Sequence, residues 1–154
     1  MNACLKGKFM NPRKALRLAA PLVLLGLLAA CAGGPKVEGS WQSIGESNEG
    51  NIRNYIDKNS VKRNGNIVTF RDKKTVMKPA QERYVNTPRY KTAIGTWEID
   101  CAKKTYRLSA LTLLDESGKE LLKQTYTPVN VRPMPVAESG SIVEKQYQTV
   151  CSGK

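Results

Sequence analysis

The chain predicts an α+β domain: an antiparallel sheet of about five or six strands with one C-terminal helix packed on a face. Three observations lead there. Residues 67–127 alternate apolar and polar side chains with period 2 between clear turn signals. Residues 141–151 change to helical spacing behind a capping sequence. Cys101 falls on the apolar face of a predicted strand, and Cys151 closes the helix.

The elements follow in order. Trp41–Ile44 is a short apolar segment, and Ile52–Ile56 alternates Ile52, Asn54 and Ile56 against Arg53 and Tyr55. Ile67–Met77 follows Arg63-Asn64-Gly65-Asn66, and an Asn-Gly pair before such a run signals a hairpin. Lys78–Pro88 holds two prolines among polar neighbours and reads as a loop. Lys91–Cys101 places Ala93, Gly95, Trp97, Ile99 and Cys101 on one face and Thr96, Glu98 and Asp100 on the other. Tyr106–Leu114 is expected to place Tyr106, Leu108, Ala110 and Leu114 on one side; Asp115-Glu116-Ser117-Gly118 then turns the chain into Glu120–Thr127. Pro128–Gly140 is irregular. In the last element Ser141 and Glu144 stand at N-cap and N3 of a capping box. Val143, Tyr147 and Val150 recur at i, i+4 and i+7, flanked by Ile142 and Cys151, giving about three turns with one apolar face. A helix so short is marginal alone in water, so it must dock.

The N-terminus has a different character. Lys6, Lys8, Arg13, Lys14 and Arg17 precede the apolar run Leu18–Ala30, and residues 1–30 contain no acidic residue. This is the layout of a secretory signal peptide, too short to span a bilayer as a helix. Met10-Asn11-Pro12-Arg13-Lys14 makes a more typical start than Met1, and beginning there would remove Cys4. Leu28-Ala29-Ala30-Cys31 resembles the bacterial lipobox, in which the cysteine is acylated and the chain is cut before it. The plainer alternative is an ordinary signal with an incidental cysteine. Ala32 in the position after the cysteine implies, by the same resemblance, sorting to the outer membrane rather than retention in the inner one. Residues 31–40, rich in Gly with one Pro, read as a flexible tether, and 41–154 as the folded domain.

Removing residues 1–30 leaves 20 basic against 13 acidic residues, a net charge of +7 where the whole chain has +12. Export argues against a nucleic-acid partner despite this charge. With Cys4 removed and Cys31 lipidated, Cys101 and Cys151 remain, and two cysteines in an exported domain read as one disulfide. The rival reading, a pair of metal-ligating thiolates, lacks support: the chain has no histidine and no acidic cluster near them. No cofactor is expected. The missing histidine also excludes Ser-His-Asp and Cys-His catalysis, and no phosphate-cradling glycine loop or Gly-x-Ser-x-Gly occurs. Glu98 and Asp100 share a strand face, the arrangement of a solvated surface more often than of an acid–base pair. An enzyme is not expected.

Several segments together resemble the surface-adhesin protein E family of bacterial lipoproteins. They are Tyr55-Ile56-Asp57-Lys58-Asn59-Ser60-Val61, Val68-Thr69-Phe70, and Glu98-Ile99-Asp100-Cys101-Ala102-Lys103-Lys104-Thr105-Tyr106-Arg107. Asp115, Gly118 and the helix Ser141–Cys151 complete the pattern over about Trp41 to Cys151. The resemblance implies a curved antiparallel sheet with the helix disulfide-bonded to its concave side, host-matrix binding at the bacterial surface, and dimerisation. It directs attention to a basic-aromatic group: Arg83, Tyr84, Arg89, Tyr90 and Lys91, with Lys103, Lys104 and Arg107. Arg and Tyr are favoured at interface hot spots, and clustered cations attract heparin-like glycans. The bland alternative is that these residues keep a loop and an edge soluble. The functional expectation is an outer-membrane lipoprotein that binds host matrix proteins or anionic glycans through this group. The competing expectation is a periplasm-facing assembly lipoprotein with protein partners inside the envelope.

Overall fold

The structure, a computed structural model, describes residues 37–136 and 139–152. The expected signal peptide, Met10 and Cys31 lie outside the described residues. The strands are β1 (Trp41–Ser47), β2 (Ile52–Asp57), β3 (Lys62–Asn64), β4 (Ile67–Val76), β5 (Thr92–Asp100), β6 (Thr105–Leu114), β7 (Glu120–Thr125) and β8 (Met134–Pro135); the helix α1 is Ile142–Cys151. The six longer strands lie in the order β1-β2-β4-β5-β6-β7, every pair antiparallel. The two short strands add to it, β3 on β4 and β8 on β6. Pairing of Asn64 with Ile67 makes Gly65-Asn66 the hairpin turn, with Gly65 at φ 59°. A positive φ there suits glycine, which has no Cβ to clash.

Register assigns the faces, because directly paired residues of an antiparallel ladder share one. Pairing Val68 with Ile99, Phe70 with Trp97 and Ile99 with Tyr106 builds the face under α1. Its core is Ile56, Val68, Phe70, Ile99 and Val150, joined by Ile44, Trp97, Tyr106, Tyr147 and the two cysteines. The opposite face carries Tyr55 beside Lys73, Thr69 beside Glu98, and Glu98 beside Arg107.

A bulge corrects one expectation. Thr96 pairs with Ala110 but Trp97 pairs with Leu108, leaving Ser109 as an extra residue in β6. A β-bulge shifts the alternation by one position. Leu111 and Leu113 therefore join Tyr106 and Leu108 on the helix side, paired with Gly95 and Ala93, while Ala110 and Leu114 turn to the opposite face. Leu113 is buried at 1% exposure. A second bulge, between Ser43 and Gly45, frees Ile44 to pack on the core.

The helix begins with one arm of its capping box as expected and the other shifted one residue back. Glu144 N–H donates to Ser141 Oγ at 3.0 Å, and the Glu144 carboxylate accepts from Gly140 N–H. Tyr147 donates its hydroxyl to the Cys101 carbonyl at 3.1 Å, and the Cys101–Cys151 disulfide joins sheet to helix with the Cα atoms 5.7 Å apart. Residues Val37–Ser40, expected to belong to the tether, are bonded to the sheet: Trp41 Nε1 donates to the Val37 carbonyl and Ser40 N–H to Asp57 Oδ1.

Candidate functional site

The basic-aromatic residues separate to the two ends of the sheet. Arg83, Tyr84, Arg89, Tyr90 and Lys91 lie in the connection between β4 and β5, whereas Lys103 and Lys104 occupy the turn between β5 and β6. The nine residues of β5 separate these groups by about 30 Å at roughly 3.3 Å per residue. They cannot form one contact patch for a small epitope.

The β4–β5 connection is braced from several sides. Glu82 Oε1 accepts from Asn48 Nδ2 at 2.5 Å and from Asn51 Nδ2 at 2.6 Å. Tyr84 donates its hydroxyl to the Tyr90 carbonyl at 2.9 Å, and the two rings meet edge to face with centroids 5.1 Å apart. Burial, with nearby negative charge, pushes both phenols above their ordinary range. Lys91 Nζ donates to the Met77 carbonyl at 2.9 Å, so this lysine helps hold the loop. Arg83 and Arg89 are left exposed on that frame, without an ion pair among the described residues. Arg89 shares a cleft of about 330 Å³ with Asp115 and Glu116 of the β6–β7 turn. The Asp115 carboxylate, held below its ordinary range first by the Ser117 hydroxyl and then by backbone N–H groups, stays charged there. The tip therefore presents both signs of charge.

Arg107 lies near the β5–β6 end, where it lines a cleft of about 390 Å³ with Lys103, Glu98 and Asp100. It is 8% exposed, pairs with Glu98 across the ladder and donates to the Tyr126 carbonyl at 3.2 Å. Its guanidinium is engaged inside the molecule. Elsewhere on the same face, Lys73 stands over the rings of Trp41 and Tyr55 at 4.5 and 4.7 Å, its pKa lowered by burial. Such cation–π contacts contribute about 0.5–1 kcal/mol at exposed sites.

A buried polar group on the helix side escaped the sequence reading. Asp72, 3% exposed, accepts from Gly95 N–H at 3.0 Å through Oδ1 and from Gln146 Nε2 at 3.0 Å through Oδ2. Gly95 permits this approach: a Cβ there would overlap Asp72 Oδ1 and lie 2.5 Å from Trp97 Nε1. Beside the carboxylate is a cleft of about 220 Å³ walled by Trp97, Leu108, Leu111 and Leu113. The only sequence signal was Asp72, followed by Lys74, in an alternation set whose other positions hold Val68, Phe70 and Val76.

Burial raises the Asp72 pKa, and the Lys74 charge together with the hydrogen bonds only partly opposes this. A carboxyl whose folded pKa exceeds its unfolded value contributes stability at low pH that is lost as pH rises through the folded pKa. Asp72→Asn keeps an acceptor for Gly95 N–H, and the Gln146 amide can turn to meet the new donor. The variant is expected to melt a few degrees above the parent at pH 7.5, the difference shrinking toward pH 4 as the parent carboxyl protonates. Melting curves across that range check it, and a gap that widens in acid contradicts it.

Comparison with known proteins agrees with this architecture. The sequence model of surface-adhesin protein E matches residues 41–152. No curated protein sequence matches the chain significantly. Crystal form II of Haemophilus influenzae protein E superposes with a TM-score of 0.51 at 14% identity, covering 78% of this chain and 94% of that one. Protein E from non-typeable Haemophilus influenzae gives a TM-score of 0.48 at 16% identity, over 78% and 81% of the respective chains. At such identities the structural likeness concerns the fold, while the sequence match spans nearly all of the described residues. The chain belongs to the surface-adhesin protein E family.

Proposed function

We propose that the protein is a lipid-anchored adhesin of the outer membrane that engages host matrix proteins through the β4–β5 loop, with Arg83 and Arg89 as the contact cations. Membership of an adhesin family supports a binding protein rather than an enzyme. One observation carries the choice of surface: two exposed arginines stand on a loop already held by Glu82, the Tyr84–Tyr90 pair and Lys91. A pre-ordered loop loses less conformational entropy on binding. Asp115 and Glu116 beside Arg89 suit a protein partner of mixed charge better than a pure polyanion such as heparin. Cys31 would carry the anchor, and Ala32 supports the outer-membrane address.

Retention on immobilised vitronectin or laminin is expected to fall with salt and to drop about tenfold or more in Arg83→Glu/Arg89→Glu, each arginine counting as a hot-spot contact. Lys103→Glu, at the other end of the sheet, is expected to leave retention unchanged. Equal retention of the double variant and the parent discards the site. Protease added to intact cells distinguishes the surface adhesin from a periplasm-facing assembly protein, whose domain would survive.

A further inference from the structure

We propose that the end of the sheet opposite the β4–β5 loop is a docking surface for anionic phospholipid headgroups, so that the domain stands on the membrane with Arg83 and Arg89 turned outward. This rests on the lipid-anchor reading above.

The first support is the path of the chain. Strand β1 runs toward the end that carries the β4–β5 loop, since its last residue, Ser47, pairs with Ile52 and Ile52 with Val76. Followed backward from Trp41, which is level with Asp57, the chain takes one more step past the strand at Ser40 and then folds against the Trp41 ring and Arg71. Ser40 O accepts from Lys58 N–H at 2.9 Å, the Glu38 carbonyl from Arg71 Nη2 at 2.9 Å, and the Val37 carbonyl from Trp41 Nε1 at 2.8 Å. Gly39 makes this close path feasible, because a Cβ there would fall 2.8 Å from the Trp41 ring. Six residue steps separate Val37 from Cys31. Their greatest reach is about 21 Å, at roughly 3.5 Å per residue. The lipid would thus be leashed within that reach of the cleft where Glu38 and Gly39 meet Asn59, Ser60 and Lys62, a span shorter than β4, β5 or β6.

The second support is charge. Lys58, Lys62, Arg63, Lys103 and Lys104 are all exposed on the side of the sheet away from the β4–β5 loop, with Arg63 also donating to the Val150 carbonyl at 2.9 Å. Among its carboxylates Asp100 pairs with Lys103 Nζ at 3.9 Å, and Glu38 lines one cleft with Lys62. Asp57 accepts from the Ser40 and Asn59 N–H groups and faces Arg71, and Asp100 accepts from the N–H groups of Ala102 and Lys103. The loop end, by contrast, sets Glu46, Glu49, Glu82, Asp115 and Glu116 among its basic residues. Lysines brought within about 8 Å of an anionic headgroup layer, the Debye length at physiological ionic strength, are attracted to it.

Lysine footprinting tests the orientation. The mature protein is reconstituted in phosphatidylglycerol–phosphatidylethanolamine vesicles, acetylated briefly, and its modified sites are read by mass spectrometry. Lys58, Lys62, Lys103 and Lys104 are expected to react several-fold more slowly than in neutral detergent, while Lys78 and Lys119 at the loop end are unchanged. The protection should fade in phosphatidylcholine vesicles and at high salt. Lys62→Glu/Lys104→Glu, two exposed positions, should expose Lys58 and Lys103 again without altering the melting curve. An acylated protein whose two ends react alike overturns the docking surface and leaves the anchor standing. An intact mass without acyl chains on Cys31 overturns the anchor, and the docking surface with it.

Discussion

Cys101→Ser is expected to destabilise the domain by about 4 kcal/mol. The bridge closes a sequence separation of 50 residues, and in the chain-entropy model releasing a loop of that size restores this much freedom to the unfolded chain. A small domain has about 5–15 kcal/mol in total, so the loss is a large fraction of it. The change should also be local first. Helix α1 has ten residues, too few to persist alone, and without the bridge it is left with packing through Tyr147 and Val150 and the hydrogen bonds of Gln146, Tyr147 and the Val150 carbonyl. Amide exchange across residues 142–151 should therefore accelerate before that of β4 and β5. Urea denaturation followed beside hydrogen exchange measures both effects. An unchanged midpoint, with exchange in α1 still as slow as in the central strands, would show that packing alone holds the helix.

Phe70→Ala should have an effect of the same order. Phe70 is 1% exposed, in the centre of the cluster of Ile56, Val68, Ile99 and Val150, and is paired with Trp97 on the helix side. Truncating a buried phenylalanine removes its transfer free energy and leaves a cavity, together about 3–5 kcal/mol. The urea midpoint should fall at constant slope. Val129→Ala, at a residue 87% exposed, serves as the control and should change almost nothing. A loss below about 1 kcal/mol at Phe70 would mean that the site collapses around the smaller side chain or that the helix does not close over it.

These two positions also show why part of the molecule could be read directly. Phe70 sits in an alternating run bounded by a turn signal, and Cys151 ends a stripe of helical spacing behind a capping box. Both signals are local, because side-chain direction within one strand or helix depends only on its period. The bulge at Ser109 has no such signature. It arises where β6 must match β5, and it reverses Ala110, Leu111, Leu113 and Leu114 with respect to simple alternation. Gln146 looks like a polar gap in the helix stripe until the sheet places Asp72 against it, 74 residues away in sequence.

The candidate surface divides in the same way. Its residue types were evident: arginines, lysines and tyrosines clustered between Arg71 and Arg107. Their availability was not. Lys91 is drawn into the loop frame, Arg107 is buried against Glu98, and Lys103 and Lys104 lie a strand's length from Arg83. Composition and period determined the class of fold, the capped helix and the paired cysteines, because these depend on interactions between near neighbours or on the count of a residue type. Only the assembled sheet decided which charges remain free and which end each one serves. Strand register brings distant residues together, and a one-residue shift exchanges the faces.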